Sequence, residues 1–168
     1  MELNLEKKKV IITGSSKGIG FAIAESFLKE KANVCLIGRN EENLVRAKKE
    51  LEKKYGTGNI LAFKCDCTKL NELKTFKTSI KKKWKKIDCL VLNIGSGAGV
   101  PSVIPEIEKF KRSIEKNLYS SFYPISCLQS IIDNKGSITL ISSIAGEEFL
   151  GAPVEYSVAK TSVISLAK

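Results

Sequence analysis

This chain of 168 residues contains no histidine. Without an imidazole there can be no Ser-His-Asp or Cys-His nucleophilic centre and no histidine-ligated metal site. Acid–base chemistry near neutral pH must therefore come from tyrosine, lysine, aspartate or glutamate.

Long apolar runs are also lacking, since no stretch approaches the roughly 20 residues that a membrane-spanning helix requires. The first residues, MELNLE, do not have the basic and then apolar order of a secretory signal. Hydrophobic residues make up 43% of the chain and charged residues 27%, which is typical of globular domains. We therefore expect one cytoplasmic domain over residues 1–168, with no membrane partner.

Cysteine is present but does not suggest a framework of disulfides. The five cysteines are odd in number and lie mostly in apolar stretches, which predicts free thiols in a reducing compartment. Cys65 and Cys67 are too close for the usual zinc pairs and no second pair follows, so we expect no metal.

Positive charge is in excess, with 28 lysines and arginines against 18 acids and a formal net charge of +10. The densest cluster is KKKWKK at residues 81–86, which would suit an anionic partner such as nucleic acid. Lysines also complement the negative C-terminal end of a helix. Because lysines are spread over the whole chain, a solvated helix end is the favoured interpretation and no nucleic-acid partner is expected.

Apolar periodicity predicts alternating strands and helices. Strands are predicted at residues 10–13, 33–37, 60–65, 88–92 and 136–142. Helices are predicted at residues 19–31, 41–55, 70–84, 105–132 (bent near Asn117) and 156–168. Continuous apolar strands separated by helices indicate a Rossmann-type, doubly wound parallel α/β sheet with helices on both faces.

A glycine-rich sequence, TGSSKGIG at residues 13–20, joins the first predicted strand to the first helix. Glycines here allow a sharp turn and the close approach of a pyrophosphate to the helix N-terminus. The spacing is G-x-x-x-G-x-G, not the commoner G-x-G-x-x-G, so the position between strand and helix carries most of the inference. The residues predicted to contact a dinucleotide here are Gly14, Ser16, Lys17, Gly18, Ile19 and Gly20.

The end of the second strand predicts which dinucleotide binds. About 20 residues past the glycines, an acid would bind the ribose 2′-hydroxyl of NAD, whereas an arginine suits the 2′-phosphate of NADP. Arg39 stands at about this distance with no acid before it, and Lys17 offers a second cation. Since arginine grips phosphate bidentately and lysine adds a point charge, NADP(H) is predicted over NAD(H).

Three polar residues near the C-terminal end form the predicted reactive centre. Tyr156 and Lys160 are four residues apart and share one helix face. A phenol alone is a poor base at neutral pH, but a nearby ammonium favours its phenolate. Ser143 follows the fifth strand, at the sheet edge where ligands bind, and its hydroxyl would hold a carbonyl or hydroxyl oxygen.

Taken together, these motifs resemble the short-chain dehydrogenase/reductase family. The resemblance covers essentially the whole chain, and its motifs occur in the order of the family. They are TGSSKGIG at residues 13–20, CDCT at 65–68, LNIG at 92–95, Asn117, ISSIAG at 141–146 and YSVAK at 156–160.

The resemblance implies a role for each matching residue. Tyr156 would be the general acid–base, while Lys160 would favour its phenolate and bond the nicotinamide ribose. Ser143 would hold the substrate oxygen, and Asn117 would anchor a water in the proton relay behind Lys160. Hydride would pass between nicotinamide and a carbonyl or alcohol carbon of a small-molecule substrate. Further cofactor contacts are implied at Asp66, Cys67, Asn93 and Gly95.

The chain departs from the family pattern in two places. NIGS at residues 93–96 stands where the family has Asn-Asn-Ala-Gly, although Asn93 and Gly95 are kept. Family members also continue past the catalytic helix with further strands, a nicotinamide-binding loop and a substrate lid. We therefore expect a C-terminally incomplete domain whose fifth strand is an exposed edge. The resemblance also implies a homodimer or homotetramer.

Two functions besides a dehydrogenase stay open. A non-catalytic dinucleotide-binding module, or an inactive fragment, would use the glycine loop, Arg39 and Asp66 without chemistry. A basic nucleic-acid-associated protein would show strongly salt-dependent binding, but only net charge supports it. The substrate is open as well, because the family selects it through the lid and through loops 95–105 and 147–155.

Overall fold

The computed structural model describes residues 3–97 and 104–168. Five strands form one sheet in the order β3-β2-β1-β4-β5, and every neighbouring pair is parallel. This order confirms the predicted Rossmann-type fold. The strands are β1 (Lys9–Thr13), β2 (Asn33–Gly38), β3 (Ile60–Lys64), β4 (Ile87–Leu92) and β5 (Ile132–Leu140).

Helices cover both faces of the sheet, as predicted. Buried side chains of α3 and α5 pack with Ile11 in one core, whereas those of α1 and α2 pack with Val10 and Ile12 in the other. The alternation along β1 is the two-residue period of a strand that is buried on both faces. The helices are α1 (Gly18–Lys29), α2 (Glu41–Tyr55), α3 (Leu70–Lys83), α4 (Ile107–Ile114), α5 (Ser120–Leu128) and α6 (Val154–Leu166). Among the described residues, no helix is both long and apolar enough to cross a bilayer.

Helix α2 lies where the sequence predicted it, and its ends have the predicted cap and charges. Its N-cap, Asn40, accepts a hydrogen bond from the backbone N–H of Asn43 at 2.7 Å. Glu41 and Glu42 lie in the first turn and lysines lie in the last, which complements the helix dipole at both ends. The cap fixes the point at which the chain turns from β2 into the helix.

The prediction of one long helix at residues 105–132 is wrong, because the structure divides this range into several elements. A π-helical segment, Glu115–Tyr119, separates α4 from α5, and a 3₁₀ turn, Gln129–Ile131, follows α5. The π segment lies where a bend was expected, and it carries the buried Asn117. The extra residue in a π turn changes the direction of the side chains that follow it. Such turns are frequent at functional positions.

Strand β5 begins and ends earlier than predicted. It covers Ile132–Leu140 instead of residues 136–142, and its register against β4 shifts between Ile87 and Cys89. Gly136 permits the close pairing, because a Cβ there would lie 2.8 Å from the Asp88 carbonyl oxygen. The strand forms one edge of the sheet and most of its residues are exposed, as expected.

Candidate active site

The predicted functional residues lie at the carboxyl-terminal ends of the strands. They come together there because parallel strands all end on the same side of the sheet. β1 ends at Thr13 before the glycine loop, and β2 ends at Gly38 before Arg39. β4 ends at Leu92, directly before Asn93, and β5 ends at Leu140, three residues before Ser143. This edge therefore brings together segments that are far apart in sequence.

The glycine loop folds back tightly against the start of α1. Gly14 and Gly18 have φ angles of +63° and +59°, in the left-handed region that favours glycine. A Cβ on Gly20 would lie 2.6 Å from Asn93 Nδ2 and would overlap the Gly14 carbonyl oxygen. No described atom lies within 4 Å of a Cβ built on Gly18, so the backbone is open there. The loop therefore forms a cradle. Larger side chains at its glycines would fill the space that a ligand needs.

The start of α1 has the properties of an anion-binding site. Lys17 occupies the N-cap position and makes no side-chain cap, and the first turn contains no acid. The first N–H groups of the helix therefore face the loop with their partial positive charge. A pyrophosphate fits these donors and the open backbone at Gly18.

Buried polar groups hold the loop against the neighbouring strands. The Asn93 N–H donates to Thr13 Oγ1 at 3.0 Å, and Asn93 Nδ2 donates to the Gly14 carbonyl at 3.3 Å. Ser15 Oγ donates to the Ile12 carbonyl and accepts from the Ile37 N–H. The sequence did not single out Ser15 for this role, since small polar residues in turns have no distinctive spacing.

The outer side of the cradle is cationic. Arg39 is 65% exposed and its Nη1 lies 3.9 Å from Asp66 Oδ2. Lys17 is also exposed, so both cations can reach a phosphate group from solvent. Asp66 is held in place because its Oδ1 accepts hydrogen bonds from the Thr68 N–H and hydroxyl.

Three other predicted cofactor residues differ in how accessible their side chains are. Ser16 Oγ lies 3.5 Å from a Cβ position on Gly38, and Ile19 is largely exposed on the loop. The Cys67 side chain is fully buried. A hydrogen bond with Cys65, together with burial, raises the pKa of the Cys67 thiol well above its usual value. Any contact of Cys67 with a dinucleotide must therefore come from its backbone.

Tyr156 and Lys160 lie in α6, and the Lys160 ammonium is 5.9 Å from the centre of the Tyr156 ring. The Lys160 side chain is only 3% exposed, and its Nζ donates to the Ile141 carbonyl at 2.8 Å. Burial lowers the pKa of Lys160 below 10.5. The structure thus places a poorly solvated ammonium beside a phenol.

The chain after β4 passes between Lys160 and Asn117 at a point where only glycine fits. A Cβ on Gly95 would lie 2.9 Å from Lys160 Nζ and 3.1 Å from Asn117 Oδ1. Asn117 Oδ1 accepts from the Ser96 N–H at 2.8 Å, and Asn117 Nδ2 donates to the Ser113 carbonyl at 3.0 Å. The structure therefore brings three predicted site residues together.

Gly97 lies against the ring of Tyr156, a contact that the sequence did not indicate for this residue. A Cβ on Gly97 would be 3.3 Å from Tyr156 Cε1. The only available signal was the glycine-rich composition of the loop. Residues 98–103 of the loop, which were expected to contribute to substrate selection, lie outside the described residues.

The two adjacent serines after β5 have different surroundings. Ser142 Oγ donates to the Lys160 carbonyl at 2.8 Å, which ties the segment to α6. Ser143 caps the 3₁₀ turn Ile144–Gly146, with its Oγ accepting from the Ala145 N–H at 3.2 Å. Because that bond uses Ser143 Oγ as an acceptor, its hydroxyl proton can still be donated to a ligand oxygen.

Comparison with known proteins gives a consistent assignment. A family model described as short chain dehydrogenase matches residues 8–168. The chain is 33% identical over 169 residues to a 12alpha-hydroxysteroid dehydrogenase of a Clostridium species, covering 96% of this chain and 65% of that protein. It is 31% identical over 171 residues to a 3-oxoacyl-[acyl-carrier-protein] reductase of Chlamydia pneumoniae, covering 100% of this chain and 68% of that protein.

A solved structure agrees with this assignment. The L-sorbose reductase of Gluconobacter frateurii, complexed with NADPH and L-sorbose, aligns with a TM-score of 0.89 at 27% identity, over 99% of this chain and 64% of that one. The chain spans about two thirds of the length of these proteins. On these matches and this fold, the chain belongs to the short-chain dehydrogenase family, a family of oxidoreductases.

Proposed function

We propose that this chain carries the dinucleotide site and the proton-transfer centre of an NADP(H)-dependent oxidoreductase. The reaction interconverts a carbonyl group and a secondary alcohol on a small molecule. The observation that carries the proposal is the position of Lys160. Its buried ammonium lies beside Tyr156 and against Gly95, at the sheet edge that also carries the glycine loop.

The residues around the cradle fit a phosphorylated dinucleotide. The glycine loop and the start of α1 would hold the pyrophosphate, and Asp66 and Asn93 would hold the adenosine half. Arg39 and Lys17 would bind the 2′-phosphate, which favours NADP(H) over NAD(H). The NADPH in the related L-sorbose reductase structure supports this preference. When bound, the cofactor supplies or accepts hydride.

Tyr156 would donate a proton to the carbonyl oxygen during reduction and take it back from the alcohol during oxidation. The Lys160 ammonium stabilises the phenolate that results from proton donation. Lys160 Nζ has three donors, and one goes to the Ile141 carbonyl. The other two are suited to a ribose hydroxyl and to a water of the relay that Asn117 would anchor.

Ser143 would hold the substrate oxygen next to Tyr156, because its hydroxyl can still donate a hydrogen bond. Ser142 would instead fix the position of α6 through the Lys160 carbonyl. We also propose a cytoplasmic location, in which the five free cysteines stay reduced, and assembly as a homodimer or homotetramer.

The test is turnover of NADPH with a panel of aldehydes and ketones. Tyr156→Phe should lower kcat at least a hundredfold, in the range expected for loss of a general acid. Tyr119→Phe is the matched control, since Tyr119, the last residue of the π segment, is a partly exposed tyrosine stacked on Tyr123 of α5. Full activity of Tyr156→Phe would refute the proposed acid–base role. NADPH binding without any turnover would favour the non-catalytic binding module instead.

A further inference from the structure

The segment between Ser143 and Tyr156 differs in charge from the rest of this basic chain. Residues 136–159 contain three acids and no lysine or arginine, although the whole chain has 28 of these cations. Glu147 and Glu148 are exposed, and within residues 3–97 and 104–168 neither takes part in an ion pair. The negative charge of these two side chains is therefore uncompensated.

A third acid adds to this charge. Glu155 directly precedes Tyr156 and is only 8% exposed. Within the described part of the chain, its Oε2 has no hydrogen-bond partner. A buried oxygen of this kind favours a hydrogen-bond donor and disfavours another anion.

The same segment carries large apolar side chains in water. Phe149 is 97% exposed, Leu150 56% and Ile144 57%, and Val154 is partly exposed at 38%. Single exposed apolar residues are ordinary, but four within eleven residues of one segment are a concentration of the kind found at ligand-contacting surfaces. We call residues 144–154 the apolar lip. It is joined at one end to Ser143 and is followed closely by Tyr156, so chain connectivity keeps it near the reactive centre.

Charge therefore divides across the edge that holds the site. The cofactor half has Lys17 and Arg39, which suit phosphates, whereas the substrate half has Glu147 and Glu148. An anionic substrate would meet like charge at the lip, and at low ionic strength such repulsion acts over roughly 10 Å or more. This arrangement is unfavourable for nucleotide-linked sugars and for acyl thioesters on phosphate-bearing carriers.

We propose that the substrate is a carbonyl compound, or the corresponding alcohol, with an apolar body and no negative charge. Phe149 and Leu150 contact the apolar body, and Glu147 and Glu148 disfavour anions. This inference rests on the proposed function and specifies the substrate class of the same site. Phe149 acts in substrate selection and takes no part in the proton transfer.

Three matched ketones test the proposal: acetophenone, 4-acetylbenzoate and (4-acetylphenyl)trimethylammonium, which share one skeleton and differ in charge. Their binding to the NADP⁺-saturated protein is measured by calorimetry at low and high salt. The neutral and cationic ketones should bind about tenfold more tightly than the carboxylate at low salt, and the difference should shrink at high salt.

Variants separate the two parts of the lip. The double change Glu147→Gln and Glu148→Gln should raise affinity for the carboxylate about fivefold and leave acetophenone unchanged. Phe149→Ser should weaken all three ketones about tenfold, as expected for loss of an apolar contact. Glu50→Gln and Val45→Ser, both on the exposed face of α2, are the controls and should change nothing.

The outcomes are distinguishable. If NADP⁺ binds and the carboxylate binds as well as acetophenone, the inference on substrate charge is overturned while the proposed function stands. If NADP⁺ binds and Phe149→Ser has no effect, or no ketone binds, the apolar lip is not a substrate contact and the inference is overturned. Failure to bind NADP⁺ would overturn the proposed function itself.

Discussion

At the scale of single residues, the proposed reactive centre depends on a lysine that is shielded from water. Lys160 is buried, its Nζ donates to the Ile141 carbonyl, and the same Nζ lies 5.9 Å from the centre of the Tyr156 ring. Burial that lowers the pKa of Lys160 also makes its charged form unfavourable in the folded state. Such a conflict between stability and function is expected if Lys160 acts in the proposed site.

Lys160→Met should therefore abolish turnover and leave the unfolding free energy within about 1 kcal/mol of wild type. The folded protein binds the Lys160 proton less readily than the unfolded chain, whose lysine pKa is 10.5. Wild-type stability should thus gain a contribution as pH rises through the lowered folded pKa towards 10.5. That contribution should be missing in Lys160→Met. Thermal unfolding across alkaline pH measures it, and a strongly destabilised variant with the wild-type pH slope would contradict the argument.

Gly20→Ala should prevent nucleotide binding, because its Cβ would overlap the Gly14 carbonyl and crowd Asn93. The displacement should also destabilise the fold by about 1–3 kcal/mol. Gly56→Ala, directly after α2, is the control for backbone strain alone, since its φ is +83° and no described atom lies within 4 Å of its Cβ position. It should cost about 1 kcal/mol. Nucleotide titration and urea unfolding of both variants decide the matter, and equal effects would refute the cradle.

The sequence indicated the candidate site residues whose side chains lie together, but it missed the contacts made by the backbone. Tyr156 and Lys160 share a face because of their spacing, and the structure has the ammonium near the ring. The Ile141 carbonyl that holds Lys160 has no signature, because every residue offers the same acceptor. The contact of Gly97 with Tyr156 could not be predicted either, since it depends on how segments that are distant in the sequence pack together.

At the scale of elements, hydrogen bonds of Asp88 connect the start of β4 to the start of β1, at the strand ends opposite the site. Asp88 Oδ2 accepts from the Lys9 N–H and its Oδ1 accepts from Lys8 Nζ, both at 2.9 Å. Burial raises the pKa of Asp88, but these hydrogen bonds outweigh it and the net pKa lies below 3.8. The two central strands are thus linked at the ends where they begin.

Asp88→Asn should cost about 1–2 kcal/mol at neutral pH, because it weakens two hydrogen bonds to a charged group. The folded pKa is lowered, so the contribution of Asp88 is present above pH 3.8 and is lost as pH falls through the lower folded value. The difference between the two proteins should therefore shrink in strong acid. Urea unfolding at several pH values tests this, and a difference independent of pH would contradict it.

Element boundaries were less predictable than element order. Local signals were enough for α2, where Asn40 caps the helix. They failed for the π segment, Glu115–Tyr119, where Asn117 accepts a hydrogen bond from Ser96, a residue distant in the sequence. They also failed at the start of β5, where DNKG at residues 133–136 has the composition of a turn and forms the irregularity between two positions paired with β4, Ile132 and Ser137.

At the scale of the whole molecule, both proposed sites lie at the carboxyl-terminal ends of the strands. The lysine cluster at residues 81–86 lies at the opposite end, directly before β4 begins. Three of its five lysines, Lys81, Lys82 and Lys83, lie in the last turn of α3, where they complement the helix dipole. The chain is therefore polarised along the strands. Alternating periodicity predicted the parallel direction of the strands but not their order in the sheet. The division of charge within the site edge became visible only in the fold.

The most direct test of the central claim is calorimetric binding of NADPH and NADH to the 168-residue chain and to Arg39→Asp. The wild-type chain should bind NADPH at least tenfold more tightly than NADH, and Arg39→Asp should lose this preference. Arg46→Asp, which changes an exposed arginine of α2, should keep it. Equal binding of both nucleotides by the wild-type chain, or an unchanged preference in Arg39→Asp, would contradict the proposed NADP(H) site.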